Sequence, residues 1–287
     1  MKIRKKNKIL IVIKMGKLRS LSLFVGTGEC NGRCKHCAGV PLRKYAPKAD
    51  GVINRDLIYK TVKECYSNGA RSISISSSGE PTLSPLAVTK TLKLIDDFNV
   101  DGIRFSPINL YSNGIRIGED SEFSKNYLGL WKQLGLTNVY ITVHNTDEKR
   151  NARAYGIDSY PSLRLILSRI HNADLLMRAN LVLSNKTISG FEEFVSTSDY
   201  LRKIGVDSIS AWPIRTLDDK IDSEKSPSEE ELDKIEEWIQ KSGNTNIRLL
   251  REKSKVAYQT GQKLTLFPDG TLSNTWCNFR ENLKGGD

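Results

Sequence analysis

The sequence contains few cysteines and no long hydrophobic run, and both absences narrow the classes of protein it could be. No stretch approaches the roughly 18 apolar residues that span a membrane. The apolar run at residues 9–13, "ILIVI", is too short for the core of a signal peptide and is followed by Lys14 and Lys17. We therefore expect a cytoplasmic protein without a membrane segment, in a reducing compartment where clustered cysteines are more often metal ligands than disulfides.

Acidic residues are scarce in the first fifty positions, and this scarcity explains the net charge of +11. Residues 1–50 hold thirteen Lys and Arg but only two acids, whereas the rest of the chain is balanced. A basic start can attract phosphates or acidic peptides because it releases counterions from a polyanion. A solvated lysine-rich terminus is the simpler explanation of the same pattern. The charge therefore leaves nucleic acid open as a partner without favouring it.

A repeated pattern organises the middle of the chain, in which a helical segment ends at a glycine and a β-branched apolar run follows. It occurs at Gly69, Gly135 and Gly205, where a left-handed residue would close the last helical turn. Ser84 and Ser226, each followed by proline, are typical of helix starts. The pattern predicts strands at 21–26, 71–76, 102–110, 138–143, 176–183 and 207–212, and helices at 55–68, 84–98, 121–134, 160–171, 189–204 and 228–242.

Six strands alternating with six helices predict an α/β protein with a parallel sheet, open or curled into a barrel. Functional loops are then expected at the carboxyl ends of the strands. Outside the repeat, residues 1–20 predict a basic extension with a short strand. Residues 244–287 predict a small β extension, because "KLTLF" and "TLSNTW" flank the turn residues "PDG". The core domain would occupy residues 21–243.

Three of the five cysteines, Cys30, Cys34 and Cys37, follow the first predicted strand within a glycine-rich loop. Three thiolates can bind three irons of a 4Fe-4S cluster and leave the fourth iron open to another ligand. Structural zinc is the alternative, but it usually takes four protein ligands. His36 lies between two of the cysteines, where its ring is poorly placed to complete a tetrahedron. The loop therefore favours one iron-sulfur cluster with an open position.

The spacing C-x3-C-x2-C in "CNGRCKHC" resembles the cluster motif of the radical S-adenosylmethionine (radical SAM) superfamily. This resemblance implies a partial TIM-like barrel of six βα units, with His36 at a position that is usually aromatic. After the second strand, "SSSGEPTL" resembles the Gly-Gly-Glu-Pro element of that family, with Ser78 in place of the first glycine. A glycine lets backbone approach a ligand closely, and a carboxylate suits a cationic group. The resemblance implies that Ser78, Gly79 and Glu80 contact SAM, with Glu80 on its amino group.

Three further strand ends carry weaker matches to the family. In "YITVHN", Thr142 and His144 share one face of the strand and lie where the family contacts the ribose of SAM. In "RANLVL", Arg178 and Asn180 also share a face, and the resemblance places them near the methionine carboxylate and the ribose. In "SAWPIR", Trp212 lies where the family surrounds the adenine.

By this resemblance the protein would be a radical SAM enzyme. A reduced 4Fe-4S cluster would cleave SAM to a 5'-deoxyadenosyl radical that takes a hydrogen atom from a substrate, with electrons from a donor such as flavodoxin or ferredoxin. The segment "LFPDGTLSNTWCNF" resembles the start of extensions in peptide-modifying and natural-product enzymes, so a peptide or small-molecule substrate is expected. Only Cys65 and Cys277 remain, which excludes a second cluster held by four protein thiolates.

Several alternatives stay open on the sequence. Cys277 would be either the hydrogen donor of an epimerase or a small apolar residue packed beside Trp276 and Phe279. The substrate would otherwise be tRNA or another nucleotide, or the partner protein of a glycyl-radical activating enzyme. A non-enzyme alternative is a zinc-bound nucleic-acid-binding module built from the basic start and the cysteine loop.

Overall fold

A single sheet of nine strands underlies the computed structural model, which describes residues 18–37, 39–45, 51–216, 220–251 and 262–273. The strands are β1 Ser20–Phe24, β2 Ser72–Ser76, β3 Ile108–Ser112, β4 Asn138–Val143, β5 Leu176–Leu183, β6 Ser208–Pro213, β7 Ile247–Leu249, β8 Lys263–Leu266 and β9 Leu272–Ser273. Their order across the sheet is β7-β6-β5-β4-β3-β2-β1-β8-β9. All described pairs are parallel except β8 with β9.

Helices follow the strands along the described chain. They are α1 Arg55–Ser67, α2 Pro85–Asp97, α3 Ile115–Glu119, α4 at 121–133, α5 Glu148–Tyr155, α6 Leu163–His171, α7 Phe191–Ile204 and α8 Glu229–Ser242. Helix α4 contains a π-helical turn, Ser124–Leu128, between two α-helical pieces. Short 3-10 turns occupy Val40–Tyr45, Pro81–Leu83 and Phe98–Asp101. The predicted alternation of strands and helices is confirmed.

The glycines that predicted the repeat adopt the expected backbone. Gly69, Gly135 and Gly205 have φ values of 103°, 92° and 98°, in the left-handed region that favours glycine. Each glycine follows a helix end and precedes a strand by a few residues. The glycine pattern therefore reported the helix-to-strand junctions correctly.

The predicted start of the third strand and the predicted cap of the last helix were wrong, for identifiable reasons. The third strand begins at Ile108, not near 102, because Pro107 lacks the N–H that a ladder needs. The last helix begins at Glu229, and its cap is Ser228, which accepts from the N–H of Glu231. The hydroxyl of Ser226 instead donates to the carbonyl of Ile214 at 3.0 Å. Helices α3 and α5 were not predicted at all.

The two faces of the sheet differ sharply in polarity. Along β4, Val139, Ile141 and Val143 are fully buried in the hydrophobic core, whereas Tyr140 and Thr142 on the other face are half-buried. Successive residues of a strand point to opposite faces, so one face packs under the helices and the other forms the inner surface of the partial barrel. The core therefore lies between the sheet and the helices, and the inner face is polar.

The C-terminal strands extend both edges of this sheet. Strand β7 pairs with β6, while β8 pairs with β1 and carries β9 beside it. The β extension expected after residue 243 is therefore continuous with the barrel sheet, and the proposed domain boundaries stay a prediction. The expected strand before residue 18 and Cys277 both lie outside the described residues. No helix in the described part of the chain is long and apolar enough to cross a membrane.

We expect Ile141→Ala to lower the free energy of unfolding by about 2–5 kcal/mol, because it opens a cavity under the helices. Leu176→Ala is the matched control, since Leu176 lies on the neighbouring strand with 52% of its surface exposed. The control should change stability by no more than about 0.5 kcal/mol. Urea denaturation followed by circular dichroism measures both. Equal effects of the two substitutions would contradict the assignment of the apolar face.

Candidate active site

The cysteine loop leaves β1 at the carboxyl edge of the sheet. Gly26, with φ of 90°, starts the loop and donates its N–H to the carbonyl of Gly51 at 2.8 Å. The side chains of Cys30, Cys34 and Cys37 are half-buried and form no disulfide. The location at a strand's carboxyl end is the one that the sequence predicted.

The three thiols influence one another electrostatically. Burial, with smaller contributions from Cys37 and Cys30, raises the pKa of the Cys34 thiol to about 12. Burial also raises the pKa of Cys30, and the charges of Glu80 and Cys37 add to that rise. A thiolate in such a place needs a bound metal to stabilise its negative charge. The donor set therefore fits an iron-sulfur cluster, which would supply that positive charge.

Among the described residues, no group of three Cys, His, Asp or Glu side chains is arranged to hold a single metal ion. A 4Fe-4S cluster binds each thiolate through a different iron, so this finding concerns mononuclear sites only. The ring of His36 meets the ring of His144 edge-on at a centroid distance of 4.8 Å.

Glu80, after β2, is the most strongly held carboxylate of this edge. Only 3% of its surface is exposed. Its Oε1 accepts hydrogen bonds from the N–H and hydroxyl of Thr82 and from the hydroxyl of Ser112, at 3.0, 2.7 and 2.8 Å. Its Oε2 accepts from the N–H of Asn113 at 2.7 Å. Burial raises the pKa of Glu80, and these hydrogen bonds oppose that rise.

Gly79 brings the loop after β2 against the cysteine loop. A Cβ at Gly79 would lie 2.0 Å from the carbonyl oxygen of Glu29 and 2.4 Å from that of Gly28. A Cβ at Gly39 would lie 2.3 Å from the carbonyl oxygen of Ser78, which is itself buried. The close approach predicted at Gly79 is therefore to protein backbone. The two loops interlock, and a contact of Gly79 or Ser78 with a cofactor remains a prediction.

Asn113, immediately after β3, connects these loops and was missed by the sequence analysis. Its side-chain amide donates to Oδ1 of Asn31 at 2.7 Å and to Sγ of Cys30 at 3.8 Å. Its backbone N–H binds Glu80, and its carbonyl accepts from the hydroxyl of Tyr160 at 2.7 Å. The signal that could have revealed it is "SNG", a polar strand end directly comparable with "SSSGEP" and "HN".

Helix α5 closes the other side of the cysteine loop. The carbonyl of Tyr155, its last residue, accepts from the N–H of Arg33 at 2.6 Å. A Cβ at Gly32 would lie 3.1 Å from the ring of Tyr155. A larger residue at position 32 would therefore have to displace the Tyr155 ring. The loop is fixed by helix α5 on one side and by Gly79 on the other.

His144, at the end of β4, is enclosed by rings. Its ring contacts those of His36 and Tyr155 edge-on, and only 1% of its surface is exposed. Burial lowers the pKa of His144 to about 3, so the imidazole is neutral. Neither ring nitrogen has a hydrogen-bond partner among the described residues. An unsatisfied buried group is costly, so a polar ligand at this position would stabilise the ring.

The remaining predicted residues lie farther along the inner face. Thr142 is half-buried, and its carbonyl accepts from the hydroxyl of Tyr155. Nε of Arg178 donates to Oδ1 of Asn180 at 2.9 Å, near the beginning of β5. Trp212, near the end of β6, pairs in register with Val182 and is half-buried. The structure thus groups Glu80 and His144 with the cysteine loop, and it places Arg178 lower in the barrel.

Comparison with known families shows to which superfamily the chain belongs. A model of the Radical SAM superfamily matches residues 24–220, which is well over half of the chain. The chain therefore belongs to the Radical SAM superfamily, whose members are enzymes that use a 4Fe-4S cluster and SAM. The predicted superfamily, fold and cofactor class are confirmed at this level. The zinc-bound nucleic-acid-binding module is not supported.

Curated relatives match part of the chain at low identity. A GTP 3',8-cyclase of Haemophilus influenzae is 25% identical over 175 residues, covering 59% of this chain and 47% of its own. A tRNA-2-methylthio-N(6)-dimethylallyladenosine synthase of Lachnoclostridium phytofermentans is 26% identical over 219 residues, covering 68% and 43%. The chain thus spans about half the length of the curated relatives it matches.

Solved structures share the fold across nearly the whole chain. SuiB of Streptococcus suis, crystallised with its precursor peptide SuiA, superposes with a TM-score of 0.63 at 12% identity, covering 95% of this chain and 63% of SuiB. The anSMEcpe enzyme with bound AdoMet gives a TM-score of 0.58 at 13% identity, covering 88% and 73%. At these identities the similarity establishes the fold alone.

We expect Gly79→Ala to displace the cysteine loop, because its Cβ would overlap two backbone carbonyls. The expected cost is about 1–3 kcal/mol of stability, with loss of most of the iron taken up on anaerobic reconstitution. Gly129→Ala is the matched control, since nothing lies within 4 Å of a Cβ there and the residue is helical. The control should keep its iron and gain roughly 0.5–1 kcal/mol. Equal iron content in both variants would contradict the interlocked loops.

Proposed function

We propose that Cys30, Cys34 and Cys37 hold one 4Fe-4S cluster and that Glu80 orients SAM beside it. When bound, the cluster and SAM would supply a 5'-deoxyadenosyl radical that takes a hydrogen atom from a substrate. The observation that carries this proposal is the fixed position of the buried Glu80 carboxylate against the loop of the three cysteines. The protein's part is to orient the cofactor and to exclude water.

The amino group of SAM would pair with Glu80, because a buried carboxylate gains most from a cationic partner. Its Oε2 accepts one hydrogen bond from the described residues, whereas Oε1 accepts three. Oε2 is therefore the oxygen with capacity for a further donor. His144, whose two ring nitrogens have no described partner, would contact the ribose, and Thr142 and Trp212 would line the same edge.

The substrate would be a peptide or another natural product. Two structures that share the fold, SuiB with SuiA and anSMEcpe with the Kp18Cys peptide, contain bound peptides. The sequence "LFPDGTLSNTWCNF" resembles extensions of peptide-modifying enzymes. A nucleotide substrate is the second candidate, and the matched GTP 3',8-cyclases and tRNA-modifying synthase favour it.

Other parts of the proposal concern partners and location. A one-electron donor such as flavodoxin or ferredoxin would reduce the cluster, and a reducing, cytoplasmic compartment would protect it. Cys277, as the hydrogen donor of an epimerase, stays a prediction because it lies outside the described residues. Cys65 is fully buried in α1 within the hydrophobic core, which supports a packing role.

We expect Cys30→Ala, Cys34→Ala and Cys37→Ala each to abolish cluster assembly, since each would remove one of three iron ligands. Wild-type protein reconstituted without oxygen should bind about four irons and form 5'-deoxyadenosine from SAM under dithionite. Cys65→Ala is the control and should behave like the wild type. Iron analysis and chromatography measure both quantities. Intact SAM after reduction of fully loaded wild-type protein would reject the proposed activity.

Glu80→Gln should weaken SAM binding at least about tenfold, which corresponds to 1.4 kcal/mol, because the ammonium group loses its charged partner. Thr82→Val is the matched control, since it removes one hydrogen bond to the same carboxylate and keeps the charge. The control should change SAM affinity less than about threefold. Equilibrium dialysis with the reconstituted proteins gives both constants. Comparable losses in the two variants would mean that Glu80 acts only as a structural residue.

A further inference from the structure

The side chain of Asn113 reaches the cysteine loop from another strand of the sheet. Its Nδ2 lies 2.7 Å from Oδ1 of Asn31 and 3.8 Å from Sγ of Cys30, and the residue is buried. A primary amide has two N–H groups, so each of these acceptors can take one of them. Asn113 follows β3, whereas the cysteine loop follows β1. The contact therefore joins two loops of the carboxyl edge through a sulfur that is a proposed iron ligand.

The orientation of this amide follows from its third hydrogen bond. Oδ1 of Asn113 accepts from the backbone N–H of Ile115 at 3.0 Å. If the amide were turned over, its NH2 group would face that N–H and its oxygen would face Oδ1 of Asn31. Both hydrogen bonds would then be lost. The nitrogen of the amide is therefore the atom directed at Cys30.

The backbone of Asn113 is held as firmly as its side chain. Its N–H donates to Oε2 of Glu80, and its carbonyl accepts from the hydroxyl of Tyr160, both at 2.7 Å. Gly114 follows with φ of 77°, and a Cβ there would lie 3.1 Å from the Tyr160 hydroxyl. A glycine takes this left-handed conformation without strain. The turn after β3 therefore holds the amide of Asn113 in place beside Cys30.

In the described part of the chain, two N–H groups approach the sulfur of Cys30. The second belongs to the backbone of Gly32, at 3.4 Å within the same loop. An N–H aimed at a thiolate iron ligand stabilises the more negative, reduced form of an iron-sulfur cluster more than the oxidised form. The backbone donor is present whatever residue occupies position 32, whereas the donor at position 113 depends on the side chain. Asn113 is therefore the donor that a substitution can remove.

We propose that Asn113 is a positioning residue that donates a hydrogen bond to the thiolate of Cys30 and thereby raises the reduction potential of the bound 4Fe-4S cluster. The inference rests on the proposed function and adds to it how this chain regulates electron uptake at that site. A higher potential lets a weaker one-electron donor reduce the cluster. Asn113 acts through Cys30, because its amide is already shared between that sulfur and Asn31.

A redox titration of the reconstituted holoenzyme, followed by EPR with dithionite as reductant and without SAM, tests the proposal. Asn113→Ser keeps an oxygen for the N–H of Ile115, but its side chain is one bond shorter and does not reach Cys30. Its cluster should be about tenfold harder to reduce, which for one electron is a potential 59 mV lower. Asn109→Ser is the matched control, since Asn109 is a buried asparagine of β3 whose amide donates to a backbone carbonyl. The control should keep the wild-type potential.

Asn31→Ala separates the hydrogen bond to sulfur from the anchoring of the loop. It removes the bond between the two asparagines and leaves the amide of Asn113 oriented by Ile115. The potential of this variant should stay close to that of the wild type. Equal shifts in Asn31→Ala and Asn113→Ser would mean that Asn113 only anchors the loop. An unchanged potential in Asn113→Ser would also overturn the inference.

Pulsed EPR keeps the test decisive if Asn113→Ser takes up no iron. In Asn31→Ala protein labelled with nitrogen-15 in its asparagine side chains, the reduced cluster should show a coupling to the label, and absence of that coupling contradicts the inference. Iron content and formation of 5'-deoxyadenosine are measured on the wild type. Wild-type protein that cleaves SAM while the variants fail these tests contradicts this inference alone. Fully loaded protein that leaves SAM intact contradicts the proposed function, and protein that binds no cluster contradicts both.

Discussion

The carboxylate of Glu80 joins three loops at the carboxyl edge of the sheet, and the candidate site depends on that connection. Its oxygens accept from Ser112 and Asn113 at the end of β3, while its own N–H donates to Glu29 in the cysteine loop. A buried carboxylate is tolerated only with such donors, because burial otherwise disfavours the charge. The same bonds that permit the charge also position the cysteines beside it.

The second constraint is the opposite character of the two faces of the sheet. Val139 and Ile141 bury the outer face under the helices, whereas Tyr140 and Arg178 belong to the inner face. The inner face instead carries polar side chains such as Thr142 and Asn180, which pair in register. The outer face thus supplies stability, and the inner face supplies polar groups.

Local patterns in the sequence predicted much of this arrangement. Glycines such as Gly135 marked the helix ends because only glycine takes the left-handed conformation without strain. The cysteine spacing and "SGEP" indicated the family, and family membership follows from the match over residues 24–220. Features that depend on contacts between different segments of the chain were missed. Ser228, and not Ser226, caps the last helix, because the hydroxyl of Ser226 donates to the carbonyl of Ile214. At Gly79 the nearest atoms are backbone carbonyls of the cysteine loop, and its contact with SAM stays a prediction.

By itself the sequence determined the order of strands and helices, the cysteine loop, the acidic residue after the second strand and the superfamily, since each is encoded in short-range spacing. Only the tertiary structure decided which groups meet. Asn113 reaches Cys30 across 83 positions of the chain, and the hydroxyl of Tyr160 reaches the carbonyl of Asn113 across 47. Such contacts depend on strand register and curvature, which are properties of the whole sheet and are not written in any single segment.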